Sequence, residues 1–242
     1  IHPGLPDRVP IQFDLCKSHL EHFGKILGIP VSYTNNIYED VTFRISGNEI
    51  RLAMGSDVVV TGAGSRDGIS AQPGPDGTWR NEYGMRMKQG SIYVELVEFP
   101  MANVTTVEEL DAYPFPDPCA PGRYRDVEAL VKKYKNDYVV IGDIEVTIFS
   151  LAQQLLGMEK LLVDMAMGEE YITRLFEKCA DFQTKVGLEL IKRGVDAIWV
   201  GDDFGSQTSL LFSADMFREL VKPHYVKMVQ AFHSSATGSA AG

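Results

Sequence analysis

Short apolar runs alternate with longer amphipathic segments along the second half of the chain. Residues 138–142 and 196–200 are rich in β-branched and aromatic residues and show no regular alternation with polar ones. This pattern is typical of parallel strands that are covered on both faces. A third run, residues 57–61, is bounded by glycines in the first half. We expect residues 58–61, 138–141 and 197–200 to be neighbours or near neighbours in one parallel sheet.

Other segments repeat apolar residues every three or four positions, which predicts helices. Gly157 and Gly194 are placed to end two of them, because glycine accepts the left-handed conformation that follows many helices. Alternating strands and helices favour an α/β fold with right-handed βαβ units, either an open doubly wound sheet or a (β/α)8 barrel. The predicted helices cover about residues 14–27, 48–54, 126–135, 148–156, 159–167, 170–193 and 213–221, the last continuing to about residue 232.

The middle of the chain, about residues 62–122, is rich in glycine, proline and aspartate, and we expect it to lie outside the sheet. It predicts a long loop or a hairpin around residues 72–77 and an extended surface connection over residues 100–122. Residues 1–233 are expected to form a single domain, and the small, uncharged residues 234–242 a linker-like tail. Strands are predicted within this excursion at residues 79–87 and 91–97.

Composition excludes several classes of protein. The 242 residues carry a net charge of −10 and the 23 basic residues are scattered, so a nucleic-acid partner is not expected. No uncharged apolar run is long enough to predict a membrane span. The cysteines are few and widely spaced, which favours reduced thiols and a cytoplasmic location over a disulfide framework. They are Cys16, Cys119 and Cys179.

Familiar catalytic and binding motifs are absent from the sequence. No G-x-G-x-x-G follows a strand, and neither a P-loop nor a G-x-S-x-G motif occurs. His19 and His22 share a predicted helix face and could bind a metal ion. No third ligand accompanies them, so a solvated helix surface is the favoured interpretation and no metal ligand is assigned.

Two acidic clusters follow the last two predicted strands. Asp143 and Glu145 come after one strand, and Asp202, Asp203 and Gln207 come after the other. Active residues of parallel α/β folds gather just past the carboxyl ends of strands, so we expect both clusters at one edge. Adjacent carboxylates raise each other's pKa, which suits proton transfer near neutral pH. The alternative is structural, because such aspartates also cap the next helix or accept bonds from loop amides.

Four stretches of the sequence carry a family resemblance: residues 142–152 (GDIEVTIFSLA), 156–165 (LGMEKLLVDM), 194–207 (GVDAIWVGDDFGSQ) and 217–223 (FRELVKP). They resemble the uroporphyrinogen decarboxylase superfamily, which also contains corrinoid- and cobalamin-dependent methyltransferases. The resemblance covers nearly the whole chain up to residue 233. It implies a (β/α)8 barrel with its active cleft at the carboxyl edge of the strands.

Members of that superfamily extend past the length of this chain, so the resemblance implies an incomplete barrel with about the first five strands. A barrel that lacks its last strands exposes two sheet edges. Exposed edges favour pairing with the remainder of the barrel, with a second copy or with another partner.

The sequence departs from the decarboxylase pattern at several positions. Gln153 stands where the resemblance places a catalytic tyrosine, and no arginine motif for porphyrinogen carboxylates follows Pro10. Asp57 is the nearest counterpart of the catalytic aspartate, although it begins its strand. The zinc motif of the methyltransferase branch, His-x-Cys and a later Cys, would follow His233, where the sequence instead has residues 234–242.

These departures favour a methyltransferase-like enzyme that moves a methyl group between a small molecule and a corrinoid protein. The alternatives are a uroporphyrinogen decarboxylase and a non-catalytic, truncated barrel that serves as a binding partner. Asp202, Asp203 and Gln207 are the predicted catalytic residues. The predicted substrate-binding residues are Asp143, Glu145, Gln153 and Asp57.

Overall fold

The fold is known from a computed structural model that describes residues 8–34, 43–69, 72–90 and 94–239. Residues 1–7 and residues 91–93, the start of the strand predicted at 91–97, lie outside the described residues. In chain order the elements are α1 (Lys17–Leu27), α2 (Asn48–Ala53), β1 (Val58–Gly62), β2 (Thr78–Arg80), β3 (Arg86–Gln89), β4 (Val94–Glu98), α3 (Val107–Ala112), α4 (Arg125–Tyr134), β5 (Val139–Ile144), α5 (Phe149–Leu156), α6 (Met158–Met167), α7 (Glu170–Lys192), β6 (Ala197–Val200), α8 (Ala214–Met216), a π-helical turn (Phe217–Val221) and α9 (Lys222–Ser239).

Three strands form a parallel sheet in the order β1, β5, β6. Val60 lies opposite Ile141, and Asp143 lies opposite Trp199. The three runs predicted from the sequence are therefore direct neighbours, as expected. The described residues place three strands in this sheet, where the resemblance implied about five.

Helices α4 and α7 cover one face of the sheet. Val140 of β5 is fully buried together with Val127 of α4 and Leu190 of α7. A Cβ at Gly142 would lie only 3.1 Å from the Leu190 side chain, so a larger residue there would have to displace Leu190. β1 and most of β5 are buried, which explains why these two strands show no polar alternation, whereas the residues of β6 are partly buried or exposed.

The edge of β1 that does not pair with β5 is hydrogen-bonded to a side chain. The Asn48 amide donates to the Val60 carbonyl at 2.7 Å and accepts from the Val60 amide at 2.9 Å. Asn48 therefore provides the two hydrogen bonds that a neighbouring strand would make at this position, and it is itself buried.

A small antiparallel sheet, β2–β3–β4, forms the excursion. The prediction of one strand over residues 79–87 is wrong, since the chain reverses between β2 and β3. The Asn81 carboxamide accepts from the amides of Tyr83 and Met85 and so closes the turn. The segment predicted as a hairpin or loop at residues 72–77 is a loop that contains a tight turn before β2.

Residues 100–122 are not the extended surface connection that their prolines predicted. They include α3, which Thr106 caps by accepting from the Glu109 amide at 3.2 Å. Met101 and Leu110 are fully buried. Burial of these apolar side chains against the main core overrides the extended preference of the proline-rich sequence.

A buried ion pair joins the excursion to the parallel sheet. Arg123 donates to both carboxylate oxygens of Glu82, at 2.7 and 2.6 Å, and the two side chains are 0% and 1% exposed. The same guanidinium donates to the carbonyls of Gly64, just after β1, and Asp117. One cation thus ties together the hairpin, the end of β1 and the approach to α4.

The last helical segment runs from α8 through the π-helical turn into α9. Pro223 lacks an amide hydrogen and cannot make the usual helical bond, which accounts for the irregular turn just before it. Helix α9 continues to Ser239, so residues 234–239 are helical where their composition indicated a linker. None of the described helices combines the length and hydropathy needed to cross a membrane.

We expect Glu82→Gln to lower the free energy of unfolding by about 3–5 kcal/mol, because it leaves the buried Arg123 charge uncompensated. The control is Glu98→Gln, whose ion pair with Arg80 is about half exposed and should contribute at most about 1 kcal/mol. Urea unfolding of the two variants measures both quantities. Equal losses in both variants would contradict a structural role for the buried pair.

Candidate active site at the carboxyl edge of the parallel sheet

The loops that follow β5 and β6 are bonded to each other. The Thr147 hydroxyl accepts from the Gly201 amide at 3.0 Å, the Thr147 amide donates to the Gly201 carbonyl at 3.3 Å, and Thr147 is fully buried. Gly201 also packs so closely that a Cβ would lie 2.9 Å from Cγ of Glu145. The two acidic clusters predicted from the sequence therefore lie side by side at one edge of the sheet.

The carboxylate of Asp202 lies at the N-terminus of α5. It accepts hydrogen bonds from the amides of Ile148, Phe149 and Ser150, at 3.0, 2.8 and 2.8 Å. These are amides that a helix leaves without internal partners, and the helix dipole favours a negative charge there. Asp202 thus caps a helix, as the structural alternative predicted. The helix is α5, which precedes Asp202 in the chain, and not the helix that follows it.

Tyr225 of α9 completes the surroundings of this carboxylate by donating to it at 2.6 Å. Burial raises the pKa of the Tyr225 phenol, and the neighbouring Asp202 charge raises it further. The phenol therefore stays protonated and keeps donating over the whole physiological pH range. One carboxylate fixes α5, α9 and the loop after β6 relative to one another.

Asp203 and Gln207 have different surroundings, although they lie in the same loop. Both are exposed, and neither makes a side-chain hydrogen bond or ion pair within the described part of the chain. Hydrogen bonds between Ser206 and Ser209 hold the loop itself in shape. Asp203 and Gln207 are therefore available to a ligand, whereas the Asp202 carboxylate is occupied.

The carboxylates after β5 surround a buried arginine. Arg44 lies just before α2 and donates from Nη1 to Asp143 at 3.2 Å and from Nη2 to Glu145 at 3.0 Å. Its Nε donates to Asp14 at 2.9 Å. The guanidinium carbon lies 4.6 Å from the centre of the Trp199 ring, so the cation also contacts β6, the strand that pairs with β5.

The charges of this cluster do not balance, since three carboxylates share one guanidinium. Burial raises the pKa of Asp143 to about 6; the Arg44 charge opposes this rise and the Glu145 charge adds to it. Burial lowers the pKa of Arg44, but its bonds to Glu145 and the charge of Asp143 raise it by more, so the guanidinium stays charged. Asp143 can therefore exchange a proton near neutral pH.

Comparison with known proteins assigns the family. The family model described as uroporphyrinogen decarboxylase (URO-D) matches residues 83–239, which is more than half of the chain.

The chain belongs to the URO-D family.

Two curated relatives are named methylcobamide:CoM methyltransferase MtbA. The one from Methanosarcina acetivorans is 23% identical over 159 residues, which is 65% of this chain and 46% of the relative. The one from Methanosarcina mazei is 23% identical over 151 residues, 62% of this chain and 43% of the relative. The chain thus spans less than half the length of the curated relatives it matches.

A solved structure, a methyltransferase from Methanosarcina mazei, superposes with a TM-score of 0.65 at 14% identity. The match covers 94% of this chain and 63% of the solved one. At this identity the likeness concerns the fold alone. It agrees with the α/β fold of URO-D type that the resemblance implied.

One of the predicted substrate-binding residues, Asp57, lies away from the carboxylates of this edge. Asp57 precedes β1 at the amino end of the sheet, where it pairs with Arg8 at 2.5 Å and accepts from the Ile11 amide at 2.7 Å. Asp57 therefore lies at the end of the sheet opposite the candidate active site. Gln153 is partly buried within α5, the helix that Asp202 caps.

Several residues of the site have no signal in the sequence. Asp14 and Arg44 lie in segments without a strand or motif signal, and no local pattern indicates that they meet residues far along the chain. Trp199 occurs within a correctly predicted strand, but a strand pattern does not tell which face holds a cation. Tyr225 follows Pro223 in a helical pattern that offered no sign of a hydrogen bond to Asp202.

The metal site of the methyltransferase branch has no counterpart within the described ranges. There, no three His, Cys, Asp or Glu side chains are arranged to hold a metal ion. The three carboxylates around Arg44 are neutralised in part by that guanidinium, so a cation would have to compete with it. His19 and His22 are exposed on α1.

We expect Asp202→Asn to lower the free energy of unfolding by about 1.5–3 kcal/mol, because asparagine keeps one acceptor and turns an NH2 group toward the α5 amides. Asp203→Asn serves as the control, since its exposed carboxylate has no such bonds, and should cost less than about 0.5 kcal/mol. Chemical denaturation measures both values. A loss in Asp203→Asn as large as that in Asp202→Asn would contradict the capping role.

A pH-dependent effect on stability is expected from Asp143. Its pKa is near 6 in the folded protein, above its usual value, so the folded state binds more protons between about pH 4 and 6. This contribution to stability is present below pH 4 and is lost as the pH rises through 6. Two pH units of altered proton affinity correspond to roughly 3 kcal/mol.

Unfolding of the wild type and Asp143→Asn, compared from pH 4 to 7, tests this effect. The stability of the wild type relative to Asp143→Asn should decline as the pH rises. Asp203→Asn is the control, and its curve should run parallel to that of the wild type. A parallel curve for Asp143→Asn as well would show that Asp143 titrates normally.

Proposed function

We propose that the protein is a methyltransferase-like enzyme of the URO-D superfamily that moves a methyl group to or from a corrinoid protein. The observation that carries the proposal is that both curated relatives are named as methylcobamide:CoM methyltransferases. The partner is then a corrinoid protein, and the second substrate is a small molecule such as a thiol.

The reaction requires a group beside the methyl acceptor that accepts a proton. When a thiol takes the methyl group it loses its proton, and the corrinoid keeps the electron pair of the cobalt–carbon bond. Asp143, with its pKa near 6, and the neighbouring Glu145, whose side chain is 37% exposed, offer proton acceptors at the edge of the sheet. In this proposal they lie next to the reacting thiol, and Arg44 fixes their orientation.

The loop after β6 supplies the other residues of the proposed cleft. Asp203 and Gln207 are exposed and contact the substrate in this proposal. Asp202 acts as a positioning residue, because its carboxylate is bound to α5 and Tyr225. Through α5 it also fixes Gln153, which remains a proposed substrate-binding residue.

The family description keeps uroporphyrinogen decarboxylation as the second candidate. Gln153 weighs against it, since a carboxamide does not replace the acidic phenol that the resemblance places there. Asp57 also weighs against it, because it lies at the amino end of the sheet and is bound to Arg8.

Methyl transfer can be measured anaerobically on the intact gene product, with methylcobalamin as the corrinoid and coenzyme M as the thiol. We expect loss of methylcobalamin absorbance together with methylated thiol, identified by mass spectrometry. Glu145→Gln should lower the rate by roughly 10²-fold, the usual size for an acid–base group. Glu98→Gln, an exposed change on β4, should leave it unaltered.

A parallel assay with uroporphyrinogen distinguishes the two candidate reactions. We expect no coproporphyrinogen, even at high enzyme concentration. Decarboxylation above background without methyl transfer would overturn the proposal. Full methyl-transfer activity in Glu145→Gln would instead remove Glu145 from the site while leaving the reaction class in place.

A further inference from the structure

An apolar pocket lies in the segment that follows β6, next to the exposed residues of the candidate site. Its volume is about 180 Å³, and its lining is apolar throughout. Pockets that enclose a drug-sized ligand measure roughly 300–1,000 Å³, so this one accommodates a small group and not a tetrapyrrole. The lining residues are Phe204, Leu210, Phe212, Ala214 and Phe217.

The framework of the candidate site holds this pocket in place. The Phe204 ring packs against Phe149, the first residue of α5, and against Tyr225 of α9, with centroid distances of 5.8 and 6.2 Å. These are the two helices that the Asp202 carboxylate joins. The pocket and the carboxylates of this edge therefore depend on the same contacts.

Aromatic rings form most of the pocket walls. The Phe204 ring is inclined by 86° to Phe212 at a centroid distance of 6.0 Å, and by 65° to Phe217 at 5.2 Å. Rings that are steeply inclined to one another contact a small group from different directions, whereas parallel rings present a flat surface. The faces of aromatic rings attract cations, and sets of such rings bind quaternary ammonium groups.

The charge beside the pocket is negative. Asp203 directly precedes Phe204, is exposed and has no ion pair within the described part of the chain. The nearest basic residue in sequence, Arg218, is paired with Asp215 at 2.6 Å. A cation with N–H groups would need hydrogen-bond acceptors that the apolar lining does not offer, whereas a quaternary ammonium group has no N–H. Rings, charge and lining together favour that one class of ligand.

We propose that this pocket binds the quaternary ammonium group of a small methylated cation, with its methyl groups against the three phenylalanine rings and the Asp203 carboxylate beside its charge. On the basis of the proposed methyl transfer, the cation is the methyl donor. The bond between a methyl carbon and the nitrogen breaks, the nitrogen keeps the electron pair, and the methyl group bonds to the electron pair of a reduced corrinoid on the partner protein. The tertiary amine then takes a proton from water, and its new N–H finds no acceptor in the lining, which favours release.

Choline and its neutral carbon analogue, in which a tert-butyl group replaces the trimethylammonium group, are the probes. They have the same shape and differ in charge. Ligand-observed NMR titrations with the full chain, without any corrinoid, give both dissociation constants. Choline should bind at least about ten-fold more tightly, because the ring faces and the carboxylate both favour the cation. Equal affinities, or no binding of choline, would overturn the proposal.

The matched variants are Phe212→Leu and Phe23→Leu. Both rings are partly buried and leucine keeps each side chain apolar, but only Phe212 lines the pocket. Phe212→Leu should weaken choline binding about three- to ten-fold and change the affinity of the neutral analogue by less than about two-fold. Phe23→Leu should change neither, and melting curves check that both variants remain folded.

An equal loss of both ligands in Phe212→Leu would overturn the assignment to a cation, since shape and not the aromatic ring would then govern binding. Asp203→Asn gives an independent check, because it should weaken the binding of choline and leave that of the neutral analogue unchanged. An unchanged affinity for choline in Asp203→Asn would remove the carboxylate from the proposed site.

The outcomes separate this proposal from the proposed function. Methyl transfer from methylcobalamin to coenzyme M without any binding of choline would support the proposed function and reject the ammonium site. Selective choline binding without methyl transfer in either direction would support the ammonium site and reject the proposed function.

Discussion

A buried positive charge constrains the arrangement of the candidate site. Arg44 is only 6% exposed, and a guanidinium so far from water is tolerated only when carboxylates surround it. Its partners come from the segment before α1 (Asp14) and from the end of β5 (Asp143 and Glu145). Because these segments must converge on one cation, the first part of the chain is fixed against the carboxyl edge of the sheet.

A half-buried negative charge has the corresponding role in the loop after the neighbouring strand, β6. The Asp202 carboxylate lies where α5 begins and receives a fourth hydrogen bond from Tyr225. The loop after β6 thereby holds a helix that precedes it and a helix that follows it. Two consecutive aspartates thus have separate roles: Asp202 fixes the framework, and the exposed Asp203 remains available to a substrate.

Membership of the URO-D family and the geometry of this edge point to the same region of the molecule. The family model matches residues 83–239, which include both loops with their carboxylates but not Arg44 or Asp14. The cation that organises the carboxylates therefore comes from outside the matched range. A second buried arginine, Arg123, pairs with Glu82 of the excursion. The excursion and the segment before α1 are thus each fixed by an ion pair with a buried arginine.

The sequence by itself determined the three parallel strands, the helices that cover them and the edge at which Asp143, Glu145, Asp202 and Asp203 gather. These features follow from periodicity and strand order, which are encoded over short stretches. Only the tertiary structure decided which carboxylate binds Arg44 and which caps α5. Arg44 and Glu145 are 101 residues apart in sequence, and Asp202 and Phe149 are 53 apart. No local pattern records such pairs, because they form only when the strands bring segments that are distant in sequence together.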